Sequence, residues 1–324
     1  MTPPSSDAPA AAIPAAEAAR AQAGDQARDP ALGIAYMVIA AGLFSVMDAL
    51  VKWLSADYST IQLMFFRSVF AFLPLAPLVL RSGWAGSLRT QRPGGHALRG
   101  LFGLAALGCF FWSLSLLPLA DATAITFAAP LFVTALSLPL LGEVVRARRW
   151  TAVGVGFLGV LVMIQPGVGI FQPAALLPLA AALFLALMVI QVRRLTRTES
   201  DTTIVLYYTI ISTLVTGAVV PFYWATPNLT DFLLLALVGV LGGLGQLVLT
   251  AAYRRTEASI LAPFDYTAMV WAVLFGFLLW GELPAPNIWL GVAIVIASGL
   301  YILHRETRKP KPVQPVGGPL GPTS

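Results

Sequence analysis

One cysteine, three lysines and two histidines stand in 324 residues, and charged residues of all kinds make up only 11%. These scarcities exclude several chemistries. Cys109 alone cannot form an intramolecular disulfide or a cysteine-based metal cluster, so it is expected to pack. None of the lysines, Lys52, Lys309 and Lys311, follows a glycine-rich loop with Ser or Thr behind it. That leaves no ATP-binding P-loop and no primary active transport by this chain alone. His96 and His304 do not form HExxH, and GxSxG is missing, so zinc-protease and serine-hydrolase chemistry have no support. Gly154-Val155-Gly156-Phe157-Leu158-Gly159 matches GxGxxG but lies within an apolar run, with no preceding strand and no acid about twenty positions later. It reads as a helix-packing surface. The chain is expected to be no enzyme and to use no cofactor and no metal. Its basic residues sit in short clusters beside apolar runs, where anionic lipid headgroups explain them better than nucleic acid does.

What the chain has in abundance is apolar surface: 58% hydrophobic residues and a mean hydropathy of +0.81. A hydrocarbon core of ~30 Å needs ~20 helical residues. Ten stretches qualify, over 33–54, 59–80, 95–117, 122–141, 148–165, 173–193, 203–224, 230–252, 257–280 and 286–304. The expected fold is therefore an all-α integral membrane protein. Residues 1–30 are rich in Ala, Pro, Gln and Asp without an apolar h-region, which reads as a disordered tail rather than a cleavable signal. Residues 306–324, rich in Pro and Gly, read as a second disordered tail. Of the twenty basic residues, all but Lys52 and Arg67 precede span 1, follow an even-numbered span or follow the last. The positive-inside rule then puts both tails in the cytoplasm, across a bacterial inner membrane.

Sliding the chain on itself by 139 residues lays Gly142-Glu143 on Gly281-Glu282, Trp150 on Trp289, and Gly100 and Gly103 on Gly239 and Gly242. A shift of 140 lays Leu43-Phe44 on Leu183-Phe184, and 142 lays Phe65-Phe66 on Tyr207-Tyr208. Two repeats of five spans are expected, 31–169 and 170–305. Because five is odd, the second enters the membrane from the opposite side, the arrangement associated with alternating access.

This combination resembles the drug/metabolite transporter superfamily, in its EamA-type branch. The likeness rests on Phe44 to Leu54, Phe65-Phe66-Arg67, Pro130 to Glu143, Tyr253 to Ala258 and Trp280-Gly281-Glu282. The resemblance covers residues 33 to 304. It implies two five-helix halves, a Gly-Glu pair closing the fourth helix of each, and secondary transport. Members of the branch export amino acids or import compounds such as S-adenosylmethionine and riboflavin. In the second half, Met269 stands where the family's fourth helix has proline.

An ionised group at mid-membrane costs ~2.5–3.5 kcal/mol on insertion scales, so each one retained must face protein or water. Asp48 and Arg67 sit at matching depths, and Lys52 is one turn from Asp48 on the same face, giving a candidate cluster near the outer mouth. Their second-half counterparts are Met188, Val192 and Thr209, so the cluster is not common scaffold. Two roles fit: mutual neutralisation of Asp48 and Arg67 that pins spans 1 and 2, or contact with substrate or gate. Asp265, beside Tyr266, is a candidate proton carrier or a carboxyl that holds a helix break after Pro263. Glu143 and Glu282, at span ends, are candidates for capping or hinge work, with Pro130 and Pro263. Phe44, Phe111, Trp112, Phe127, Gln191, Gln246 and Trp271 supply rings and amides for a central cavity, and Gly242, Gly243 and Gly245 thin the helix beside Gln246 for a ligand or another backbone.

The sequence thus points to a secondary carrier with a small-molecule substrate and lipid surroundings, acting as a monomer. Export of amino acids leads, because both signs of charge with amides and rings suit a zwitterion. Uptake of a larger metabolite and passive facilitation are the alternatives.

Overall fold

The computed structural model describes residues 30–83, 88–141, 147–165, 173–196, 198–255, 261 and 264–307. Secondary structure among them is entirely helical. Long apolar runs without polar partners fold this way because a helix satisfies its own backbone hydrogen bonds, which lipid cannot do. The helices are α1 (Pro30–Leu54), α2 (Thr60–Phe70), α3 (Phe72–Ser82), α4 (Pro93–Leu114), α5 (Leu119–Thr126), α6 (Ala129–Leu141), α7 (Ala147–Ile164), α8 (Leu176–Leu195), α9 (Asp201–Val219), α10 (Leu229–Arg255), α11 (Thr267–Trp280) and α12 (Pro286–Thr307). Among the described residues, seven segments are long and apolar enough to cross a membrane. Three shorter apolar helices, Trp150–Ile164, Thr267–Trp280 and Pro286–Ile302, fall within the remaining expected spans. Glu143, Pro263, and nearly all of both expected tails lie outside the described residues.

Helix starts follow their capping residues. Ser59 accepts from the Gln62 amide at 3.3 Å to begin α2, Ser200 accepts from Thr203 at 3.1 Å to begin α9, and Asn228 accepts from Asp231 at 2.9 Å to begin α10. Breaks follow proline. The run that starts at α2 is interrupted at Ala71, three residues before Pro74, and the run that starts at α5 is interrupted at Phe127 and Ala128, just before Pro130. The second half turns at Tyr266, which is Phe127 shifted by 139 residues. Here Met269 occupies the proline's place, and its amide donates to the Tyr266 carbonyl at 3.1 Å, a tight turn that keeps the break without proline.

Packing pairs α1 with α10, α4 with α8, and α7 with α12 most extensively. The internal shift converts α1 into α8 and α4 into α10, so the first two pairs are one contact seen twice. Glycines set the closest approaches. A Cβ added to Gly239 of α10 would lie 2.4 Å from the Phe70 Cβ and 2.8 Å from the Phe66 carbonyl oxygen. Gly243 meets Pro74 and the Ala71 carbonyl in the same way, and Gly245 receives the Phe44 ring. The thinned face of α10 is thus filled by α1, α2 and α3. On α7, Gly159 faces the Gly291 carbonyl of α12 and Gly156 faces Leu131 and Ser298, so the GxGxxG run is a packing surface at these two positions.

Candidate functional site

Among the described residues, four groups of polar residues interrupt this apolar bundle. The first is a line of charge across α1, α2 and α4. Asp48 and Arg67 are half-buried, and Arg67 crosses the bare face of α10 at Gly242. They form no ion pair among the described residues, and Asp48 Oδ1 and Arg67 Nε are buried without a hydrogen-bond partner. Mutual neutralisation by direct contact is therefore absent. Arg99 of α4 is 6% exposed, its guanidinium stacked over Tyr208 of α9 at 3.9 Å. Its Nε and Nη1 are also buried and unpartnered. Sequence reasoning spent Arg99 on the orientation count and missed it as an interior charge; the signal available was its place six residues beyond Pro93, inside the apolar run.

The second group is a latch. Lys52, expected beside Asp48, donates instead to both carboxylate oxygens of Glu282 at 2.8 Å and to the Leu117 carbonyl at 2.9 Å. It also lies 5.1 Å from the Trp280 ring centre. Glu282 in turn accepts from the Leu119 amide at 3.4 Å. One carboxylate thus ties the end of α1, the start of α5 and the end of α11. Gly281 makes the placement possible: at φ +66° it ends α11 in the left-handed conformation that costs glycine little, and it swings Glu282 back toward the bundle. Asp121 Oδ1 is buried and unpartnered nearby, a second acid the sequence reading passed over.

The third group is the crossing of the two broken runs. Phe127 meets Tyr266 edge-on, ring centres 5.0 Å apart, and the Tyr266 hydroxyl fills the space at Gly299 of α12. Asp265 is exposed next to it, and Pro130 is exposed in the first turn of α6. Trp271 stacks on Phe275 at 6.0 Å and covers Gly42. The remaining candidates disperse. Phe111 is fully enclosed in the main core, Gln191 is buried, and Trp112 is 54% exposed. Gln246 borders a small, mostly apolar cavity of α3, α9 and α10 with Leu75, Leu206 and Thr250.

At the N-terminal end of α4, the Glu199 side chain is 3% exposed and 3.9 Å from His96. Burial pushes its carboxyl up, but the Gln91 amide and Thr90 hydroxyl, each donating at 3.0 Å, hold it below the usual range. This cluster clips the α8–α9 turn to the segment before α4.

The sequence profile of the EamA-like transporter family matches residues 31–165 and again 172–303. The chain is 34% identical over 272 residues to a pseudopaline exporter of Pseudomonas aeruginosa, covering 82% of this chain and 94% of the exporter. It is 32% identical over 283 residues to a riboflavin transporter of Rhizobium johnstonii, covering 86% and 93%. It is 29% identical over 276 residues to an S-adenosylmethionine uptake transporter of Rickettsia prowazekii, covering 85% and 94%. A crystal structure 17% identical in sequence shares the fold at a TM-score of 0.58, over 86% of this chain and 98% of the other. Two matched halves, broken helices that cross between them, and relatives that carry small molecules agree: the chain belongs to the EamA-like transporter family of the drug/metabolite transporter superfamily and is a multi-pass membrane transporter.

Proposed function

We propose that this transporter is a secondary carrier of the bacterial inner membrane that exports amino acids or related small metabolites by alternating access. Its ten membrane helices form two inverted repeats, 31–169 and 170–305, with both tails in the cytoplasm. The observation that carries this reading is the crossing of the broken runs at Phe127 and Tyr266, positions related by the same 139-residue shift as the Gly-Glu pairs. Short helices joined at a turn can pivot without opening their hydrogen-bond ladders, which suits gating by one half against the other. Lys52 and Glu282 form the outer gate, closed in this conformation; Asp48, Arg67, Asp265 and Tyr266 face the substrate path. An amino acid offers an ammonium to Asp48 and a carboxylate to Arg67.

Proteoliposomes preloaded with unlabelled amino acids test the proposal. Labelled amino acid of the right identity accumulates transiently by counterflow, and no acceleration over empty liposomes with any of the twenty would overturn export of amino acids. A second reading, uptake of a larger metabolite, draws on the relatives that take up S-adenosylmethionine. Counterflow with S-adenosylmethionine or riboflavin in the same vesicles, without amino-acid exchange, would favour it.

A further inference from the structure

We propose that Arg99 and Arg67 together form an anion subsite that holds a carboxylate of the transported molecule. The proposal rests on the carrier reading and deepens it by naming the substrate class: a carboxylic acid, not a neutral or purely cationic metabolite. Four observations converge on it. Arg99 is 6% exposed and points two guanidinium nitrogens into the interior with no acceptor. Arg67 Nε is in the same condition, and the two residues meet the same stretch of α9: Ser68, next to Arg67, shares a 2.7 Å hydrogen bond with Ser212, one turn beyond the Tyr208 ring that Arg99 covers. Tyr208 covers the flat face of Arg99, so its donors point outward along the edge, the fork geometry that matches a carboxylate or phosphate oxygen pair. Finally the local charges do not cancel. Arg67 and Arg99 are opposed by Asp48, which accepts from no hydrogen-bond partner at Oδ1, so one positive charge is left over in an apolar bundle. A desolvated pair of like charges is tolerated where a counter-charge arrives from outside.

A structural role fits poorly. Shifting Arg99 by 139 residues gives Val238, buried and apolar, and Arg67 corresponds to Thr209, so the repeated scaffold packs without either cation. A guanidinium kept to brace α4 would be bonded to a carbonyl or a carboxylate; the Nε and Nη1 of this one are bonded to neither.

Thermal unfolding of the full chain in lipid nanodiscs, titrated with L-glutamate, L-alanine and succinate and with their amides L-glutamine, L-alaninamide and succinamide, tests the subsite. At least one acid is expected to stabilise the protein at a concentration at least about tenfold lower than its amide. Arg99→Gln and Arg67→Gln should each abolish that preference, and Arg99→Lys, which keeps the charge but loses the fork, should retain part of it. The idea is overturned if no acid outperforms its amide, or if Arg99→Gln or Arg99→Lys, whichever folds, binds the acids as the parent does. Counterflow in the same preparation separates the two claims. Exchange that survives with amides and with Arg99→Gln removes the subsite and keeps the carrier; acid-selective binding without any exchange does the reverse.

Discussion

The two halves of the chain bury the same kind of helix contact and differ in what they leave charged. In the first half Asp48, Arg67 and Arg99 lie within the bundle; the positions 139 to 142 residues later hold Met188, Thr209 and Val238. In the second half Asp265 stands where the first has Thr126. The packing devices, by contrast, recur. Gly100 opposes Ile211 as Gly239 opposes Phe70, and Phe127 turns its chain as Tyr266 does. What recurs builds the frame. What does not recur carries a desolvation cost that only one half bears, and in the proposed carrier that asymmetry marks the substrate path.

The comparison predicts its sharpest contrast at the unshared charges. Asp48→Asn and Arg67→Gln should each lower exchange on the order of 100-fold, because each removes the group proposed to meet one charged end of the substrate. Thr209→Val should change exchange by less than about threefold, since its hydroxyl bonds only its own helix at Val205. Equal losses at both positions would erase the distinction. Breaking the latch comes next. Lys52→Met removes hydrogen bonds to a charged partner worth about 1.5–3 kcal/mol, so a cysteine placed at Leu119, 1% exposed beside Glu282, should react with a membrane-impermeant thiol reagent roughly ten to a hundred times faster. The charge swap of Lys52→Glu with Glu282→Lys should restore slow labelling.

Glycine positions sharpen the structural side. Gly239→Ala should cost about 1–3 kcal/mol in unfolding, because its Cβ meets backbone at Phe66 and the root of Phe70. Gly100→Ala should cost less, since it meets only Ile211 methyls, and Gly154→Ala nothing measurable, with no neighbour within 4 Å. A small effect, though larger than at Gly154, is expected at Met269→Pro. A proline in a continuous helix costs ~3 kcal/mol, but at this turn only the 3.1 Å bond to Tyr266 is lost, about 1 kcal/mol.

Much of the frame was legible before any coordinates. Apolar runs announced the helices, the Ser59 and Ser200 caps lie next to the expected starts, and the Gly-Glu offset anticipated that Phe127 and Tyr266 would be counterparts. The site was only half legible. Lys52 was placed with Asp48 because one helical turn separates them, yet its side chain leaves that face for Glu282, a residue 230 positions away. Arg99 was counted among loop cations because linear spacing puts it near a span end, and only the neighbouring Tyr208 reveals that its head turns inward. Gln246 stands beside a thinned helix, and the thinness at Gly242, Gly243 and Gly245 is taken up by Arg67, Pro74 and Phe44.

The amino-acid order alone determined that this chain lies in a bilayer as helices, because hydropathy and backbone satisfaction depend on composition within a window of about 20 residues. It also carried the doubling, since matched offsets need no coordinates. Which cation meets which anion was decided by tertiary packing. Charge pairing inside a membrane depends on side-chain direction and on which helix lies alongside, and both emerge only when glycine faces on α7 and α10 fix how closely the helices approach.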